Sequence, residues 1–202
     1  MVRTNYSHAG RQGKGYGFIR EANANHLLEP YVEKNEITPE LFTENLSRSF
    51  WHDLLGKDMA ATGDKWIIDQ DFIPRYKSTA TIVIEGCIPL KEGEVADPDF
   101  IRNQYIMWTG MGYPPCSEIL PVYCSEDGVP EVLQGSDNGY SPMCNEVKKR
   151  RDQVFPIHKG NGDKYIEMPL LFNEDETGFV QMLVPKNLET YKKYKEIRDR
   201  KL

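Results

Sequence analysis

The stretch that decides the fold class is "STATIVIEG", Ser78–Gly86. Its side chains alternate with period two, and most of them favour β-structure, which predicts a strand with Thr79, Thr81, Val83 and Glu85 on one face and Ala80, Ile82 and Ile84 on the other. "QYIMWTGMGYPP" (104–115) and "SEILPVYCSEDG" (117–128) predict further strands, with Asp127–Gly128 as a turn. The segment Lys57–Tyr76 before them reads as irregular and acidic. The middle of the chain is therefore predicted to form an antiparallel sheet.

Helical patterns flank this region on both sides. Phe18–Asn35 carries apolar residues at helical spacing, and Pro30 is expected to bend or shorten that helix. A second helix is predicted to begin at Thr38, a natural N-cap, and to end at Gly56. "SPMCNEVKKRRDQVF" predicts a third helix capped by Ser141, and "PKNLETYKKYKEIRDRKL" a C-terminal one. The pattern is that of an α+β protein, with residues 1–202 forming a single domain.

Charge and hydropathy exclude two classes of partner. The 202 residues carry a net charge of −6, and no apolar run approaches the roughly 20 residues that cross a bilayer. Binding to nucleic acid draws its affinity from Lys and Arg that displace counterions, so an acidic chain is poorly suited to it. We therefore expect neither nucleic acid nor a membrane span.

"GKGYGFIRE", Gly13–Glu21, resembles the strand signature of RNA-recognition modules but lacks its context. Too few residues precede Lys14 for the strand and helix that the module places first, and Glu21 stands where an aromatic is needed. The spacing also fails the phosphate-binding loop G-x-x-x-x-G-K-[ST]. Residues 1–8 alternate like a strand, and the stretch after them is interpreted as a glycine loop that leads into a helix.

Cysteine and histidine give no metal or cofactor signature. The four cysteines form no C-x-x-C pair and favour buried thiols, and each histidine is isolated from the others: Cys87, Cys116, Cys124 and Cys144; His8, His26, His52 and His158. Trp108 and Tyr113 beside a strand are more typical of a core than of a pocket. No cofactor is predicted.

Five segments occur in the order found in one family. They are "RTNYS" (3–7), "GYGFIR" (15–20), "SRSFWHDL" (47–54), "DFIPRYKSTATIVIEG" (71–86) and "MWTGMGYPPCSEILPVY" (107–123). The chain to about Gly162 resembles the C-terminal portion of proteins similar to acyl-coenzyme A:isopenicillin N acyltransferase and carcinine hydrolase. These are cysteine N-terminal-nucleophile (Ntn) hydrolases, related to penicillin acylases and bile-salt hydrolases.

The resemblance implies a four-layer αββα sandwich with two antiparallel sheets packed face to face. In this family a cysteine made N-terminal by self-cleavage attacks the amide, and it lies well upstream of the "RTNYS" segment. All four cysteines of this chain lie downstream of it. The expected partners are therefore a small-molecule amide or acyl substrate and an N-terminal half that carries the nucleophile, with a homo-oligomer left open.

Two site residues follow from the resemblance. Asn5 matches the asparagine that donates a side-chain N–H to the oxyanion, and its alternative role is local backbone bonding. Arg75 matches the arginine found shortly before the long strand, where a guanidinium would lower a thiol pKa and hold a carboxylate or carbonyl. Its alternative is a surface ion pair with Asp69 or Asp71.

Three functions stay open at this point. The chain is a part of an amide hydrolase or acyltransferase, an inactive truncated or degenerate homologue that only binds a partner, or an independent cysteine hydrolase. The sequence does not assign a localisation, whether secreted, periplasmic or other, because any signal peptide of the parent would lie upstream.

Overall fold

The computed structural model of the chain describes residue 2 and residues 17–86, 89–95, 105–123, 126, 128–137 and 139–198. The predicted strand over residues 1–8 and most of the glycine loop lie outside these ranges. Within them, α-helices pack with antiparallel sheets, which confirms the α+β class. No helix in these ranges is long and apolar enough to cross a membrane.

The described strands form three antiparallel sheets. Two short strands pair with each other, β1 (Trp51–His52) and β2 (Lys57–Asp58). A second sheet has the order β3-β8-β7, with β3 at Trp66–Ile68, β7 at Ile157–His158 and β8 at Lys164–Glu167. The central sheet has the order β4-β5-β6, with β4 at Ala80–Glu85, β5 at Ile106–Met111 and β6 at Leu120–Tyr123.

The central sheet confirms the three predicted strands. Val83 pairs with Trp108, and Trp108 pairs with Pro121, so these residues share one face. That face packs on the C-terminal helix α3 (Phe179–Arg198), where the Trp108 ring centroid lies 4.0 Å from that of Tyr191. Trp108 also donates its indole N–H to the Glu85 carboxylate at 2.9 Å. Trp108 is therefore a core residue, as the sequence favours, and so is the fully buried Tyr113.

The first helix, α1, runs over Phe18–Glu33 and passes through Pro30. Of the two expected effects of Pro30, bending or shortening, the shortening is wrong, because the proline lies in the last turn. Only one intrahelical N–H is lost there. The fully buried Asn23 anchors the helix: its amide accepts from the Asp53 N–H at 2.8 Å and donates to the Asp71 carbonyl at 2.9 Å.

The second helix begins as predicted but ends early. Thr38 accepts from the Leu41 N–H at 3.3 Å, which confirms the cap. The chain then makes a π-helical turn at Leu41–Asn45 and a 3-10 turn at Leu46–Arg48 before strand β1 begins, so the predicted end at Gly56 is wrong. The wide turn directs Thr43 and Glu44 into the interior, where both are buried.

Helix α2 covers Pro142–Val154, and Ser141 caps it by accepting from the Cys144 N–H at 3.1 Å, as predicted. Helix α3 begins before the predicted C-terminal helix and includes Pro185. The main core lies between α2, sheet β3-β8-β7 and the segments that carry Phe50 and Phe72. Its largest buried members are Phe50, Tyr113, Val147, Val154, Ile166 and Leu171.

The interpretation of Lys57–Tyr76 as irregular is wrong in part, because β2 and β3 lie within it. In β3 only Ile67 is buried, and its neighbours Trp66 and Ile68 are exposed. The pairing of Ile67 with the buried Ile166 of β8 fixes this segment against the core. The chain after β3 then turns towards the first turn of α1.

Candidate functional site

A pocket of about 380 Å³ lies where three segments of the chain meet. The first turn of α1 contributes Arg20, and the turn between β7 and β8 contributes Asn161–Asp163. The end of β3 and the chain after it contribute Ile68–Asp71 and Arg75. Most of these side chains are charged or polar. This mixed-charge lining is suited to a small polar ligand rather than to a long apolar chain.

Local hydrogen bonds hold the segment that carries Asp69 and Arg75. The Asp69 N–H donates to the Lys164 carbonyl at 2.9 Å, and its carboxylate accepts from the Tyr76 N–H at 2.9 Å. The Arg75 N–H donates to the Ser78 hydroxyl at 3.0 Å, and the Ser78 N–H donates back to the Arg75 carbonyl at 2.8 Å. The backbone at both residues is thus fixed while the Arg75 side chain stays exposed.

Asp71 has a left-handed backbone, with φ at 61°. This conformation is uncommon for residues other than glycine, and it occurs where the surrounding structure enforces it. Here the buried Asn23 enforces it by donating to the Asp71 carbonyl. The sharp turn places Asp71 in the pocket lining together with Asp69 and Arg75.

The two arginines of the pocket influence each other. Burial and, next, the charge of Arg75 lower the pKa of Arg20, whereas Asp71 opposes this shift. The predicted alternative, a surface ion pair of Arg75 with Asp69 or Asp71, is absent among the described residues. Arg75 nevertheless lies close enough to Asp69 for its charge to act on that carboxyl and lower its pKa against the effect of burial. The pocket therefore holds two neighbouring guanidinium groups.

Asp69 is the most perturbed carboxyl of the pocket. Burial raises its pKa, although the Tyr76 N–H, Arg75 and Lys164 act in the opposite direction. One carboxylate oxygen accepts from Tyr76, and the other is buried with no hydrogen-bond partner. The hydroxyl of the fully buried Tyr113 also has no partner, and burial, then the charge of Asp69, raises the pKa of Tyr113 well above its ordinary value.

The structure places one of the two predicted site residues. Arg75 lines the pocket, whereas Asn5 lies outside the described residues. Sequence reasoning did not assign a role in the site to Arg20, although "GYGFIR" contains it, and it considered Asp69 only as an ion-pair partner. Neither stands in a motif with a chemical signature, so the fold alone brings them to Arg75.

The described thiols and imidazoles show no catalytic arrangement. Cys116 is fully buried, and burial raises the pKa of its thiol to about 12. Each described histidine packs on an aromatic ring: His26 on Trp51, His52 on Phe72 and His158 on Tyr76. No group of three His, Cys, Asp or Glu side chains in the described ranges could hold a metal ion.

The second notable surface is the open face of the central sheet. Ile82 and Ile84 of β4 are 55% and 69% exposed, and Tyr105 beside β5 is 67% exposed. With Met107, Val122 and Val129, residues Ile84 and Tyr105 line an apolar groove of about 490 Å³. Among the described strands, β4 also lies at the edge of its sheet. We call the surface formed by these six residues the open sheet face.

No family model matches the chain, and no curated protein or solved structure is significantly similar to it.

Proposed function

We propose that this chain is part of a cysteine Ntn amidohydrolase or acyltransferase that acts on non-peptide amide bonds. It supplies pocket and oxyanion-binding residues, and a separate segment supplies the nucleophilic cysteine. In such a reaction the thiolate attacks the amide carbonyl, the amine leaves with a proton, and water or an acceptor amine resolves the thioester.

The observation that carries the proposal is the open sheet face. Helix α3 covers one side of the central sheet through Trp108, whereas the other side presents Ile82 and Ile84 to solvent. Contiguous apolar patches on a surface mark places where another polypeptide packs. Half of an αββα sandwich would have this arrangement, with a helix layer on one side of its sheet and an uncovered apolar surface on the other.

The Arg75 pocket supports the same proposal. A planar guanidinium holds a carboxylate or polarises a carbonyl through paired N–H donors. In the proposed enzyme Arg75 orients the substrate, and Asn5 donates to the oxyanion. Loss of one oxyanion donor costs on the order of 10²–10³ in rate in acyl-transfer enzymes.

The buried Cys116 argues against the independent cysteine hydrolase. A thiol with a pKa of about 12 and no exposed surface holds almost no thiolate at neutral pH and cannot reach a substrate. Cys144 lies half-buried in the first turn of α2, far along the sequence from the segment where the family oxyanion residue is expected. Cys87 and Cys124 lie outside the described residues. The proposal takes its nucleophile from another segment, as the family resemblance implies.

The second candidate is an inactive homologue that serves only as an interaction module. The open sheet face favours it equally, because a partner would cover Ile84 and Tyr105 whether or not catalysis occurs. The two candidates differ in the pocket: a module that only binds through the sheet has no use for Arg75.

The test is co-expression with the polypeptide encoded directly upstream of Met1. If that segment carries a cysteine at a cleavable junction, we expect a stable complex that hydrolyses a panel of N-acyl amides. Substitution of that cysteine by serine should abolish turnover, and Arg75→Gln should reduce it at least tenfold while the complex still forms. A stable complex without turnover would favour the interaction module. Turnover by this chain alone would overturn both.

A further inference from the structure

We infer that the outer edge of strand β4 pairs with the same strand of a second copy of the chain, in antiparallel orientation, and joins two central sheets into one. This inference goes beyond the proposed function and does not depend on it. The upstream segment of that proposal would cover the open sheet face, whereas the second copy would occupy the edge of the sheet.

The backbone of β4 presents hydrogen-bonding groups along its outer edge. Gly112, directly after β5, donates its N–H to the Thr79 carbonyl at 2.7 Å, so Thr79 directs its backbone groups towards β5. This direction alternates from residue to residue, and the register with β5 is unbroken along β4. The backbone groups of Ala80, Ile82 and Ile84 therefore point away from β5, and no other described strand pairs with them.

The two edges of the central sheet differ in how they are protected. Val83 directs its backbone towards β5 and Trp108 opposite it towards β4, so Pro121, paired with Trp108, directs its backbone away from β5. The outer edge of β6 thus lacks a donor at Pro121, and proline at such a position is one way in which sheets avoid edge-to-edge pairing. The edge strand β4 carries neither proline nor lysine and is therefore the edge that can pair.

The side chains of β4 suit a partner strand of the same sequence. Antiparallel pairing about a twofold axis would bring the exposed Ile82 and Ile84 against apolar side chains of the second copy. Glu85, the one charged residue of β4, bonds to Trp108 of its own chain. In the registers centred at Ile82 or at Val83, Glu85 lies opposite a threonine, so no like charges face each other. The joined sheet would end at β6 on both sides, and pairing would therefore stop at a dimer.

The first test follows the backbone amides of β4 by NMR-detected hydrogen exchange at low and high concentrations of the purified chain. The N–H groups of Thr81 and Val83 bond to β5 and should be protected at both concentrations. Those of Ile82 and Ile84 should exchange at least about tenfold more slowly at high concentration, together with a doubling of the mass measured by light scattering. A monomer at every concentration, or a dimer in which Ile82 and Ile84 still exchange rapidly, would overturn the inference.

Proline at two adjacent positions separates the outer edge from the interior of the sheet. Ile82→Pro removes an outward N–H and should leave a folded monomer whose dimerisation is at least about tenfold weaker. Val83→Pro removes an N–H that bonds to β5 and should destabilise the chain itself. Ile82→Lys carries the test if Ile82→Pro unfolds, since it places a charge at the edge and keeps the N–H. Leu54→Lys, at an exposed leucine outside the central sheet, should dimerise like the unmodified chain.

Tyr105→Gln distinguishes edge pairing from stacking of two open sheet faces. It removes exposed aromatic surface beside β5 and leaves β4 unchanged, so dimerisation should stay within about threefold of that of the unmodified chain. A loss as large as that of Ile82→Pro would assign the association to the face and overturn the inference. Protection of Ile82 and Ile84 only in the complex with the upstream segment would assign the edge to that segment and overturn the dimer. Absence of amidase activity in the co-expression experiment would leave the dimer intact, so the two proposals fail separately.

Discussion

The guanidinium of Arg48 lies 3.1 Å from the carboxylate of Glu44 one turn earlier, and both side chains are almost fully buried. Arg48 also donates to three backbone carbonyls, those of Thr43, Pro114 and Ser117. The Asn187 amide of α3 donates to the Glu44 carboxylate at 3.1 Å and accepts from the Ile119 N–H at 3.1 Å. The Arg48–Glu44 pair and Asn187 therefore join the π-helical turn, the connection between β5 and β6, and α3.

Arg48→Met should destabilise the chain by about 3–5 kcal/mol, because it leaves the buried Glu44 carboxylate without its charge partner and takes the Arg48 donor from the Ser117 carbonyl. Urea unfolding followed by circular dichroism measures the change. Lys193→Met removes the exposed partner of Glu189 and should change stability by less than about 0.5 kcal/mol. A loss below about 1 kcal/mol in Arg48→Met would contradict this account of the network.

The open sheet face should make the isolated chain self-associate. Replacing Ile82 and Ile84 together by threonine keeps β-branched residues in β4 and removes exposed apolar surface. We expect less light scattering and weaker binding of an apolar dye, with the free energy of unfolding changed by about 0.5 kcal/mol or less. Ile166→Thr, at a fully buried position of β8, should instead cost about 2–4 kcal/mol. If the unmodified chain is a monomer that binds no dye, the open sheet face is not an unoccupied interface.

Asp69 should make the chain less stable as pH rises. Its pKa is raised in the folded state, so the folded chain holds the proton more tightly than the unfolded chain. Stability therefore falls as pH increases through the titration of Asp69. Asp69→Asn keeps an acceptor for the Tyr76 N–H and should gain stability relative to the unmodified chain between pH 3 and pH 7 (about the range of carboxyl titration). The exposed control Asp64→Asn should show no such trend. If the stabilities of Asp69→Asn and of the unmodified chain changed with pH in parallel, Asp69 would not be the group responsible.

The two described thiols should differ in reactivity. Cys116 is fully buried with a pKa of about 12, whereas Cys144 is partly exposed at the start of α2. Iodoacetamide at about pH 8, the range where free thiols react, should modify Cys144 first in the folded chain. Peptide-resolved mass spectrometry, in the absence and presence of urea, measures the rate at which each of the two thiols is modified. Modification of Cys116 at the same rate in both conditions would show that it is not buried.

The sequence predicts the central sheet because β4, β5 and β6 carry β-branched and aromatic residues over lengths that reveal a period. Very short strands, such as β1 and β7, do not reveal one. Alternation in β4 cannot tell which face is buried, since both faces carry apolar side chains. The structure decides this by packing Val83 with Trp108 and leaving Ile84 outside.

Capping residues predict where helices begin better than where they end. Thr38 and Ser141 form the expected caps because capping is local. The end of the second helix depends on the pairing of Trp51 with Asp58, which the helical pattern does not contain. The lining of the pocket could not be predicted from local patterns, because Arg20, Asp69 and Asp163 come from three separate segments.

The π-helical turn at Leu41–Asn45 has a consequence for how this chain tolerates changes in length. A turn of this kind holds one residue more than an ordinary helical turn. Deleting a single residue there would replace the wide turn by an ordinary helical turn and leave the segments before and after it in nearly the same relative orientation. The bulge that directs Thr43 towards Tyr191 and Glu44 towards Asn187 would then be lost. Among homologues, a deletion at this position would thus mark a lineage that has rebuilt its link to the C-terminal helix.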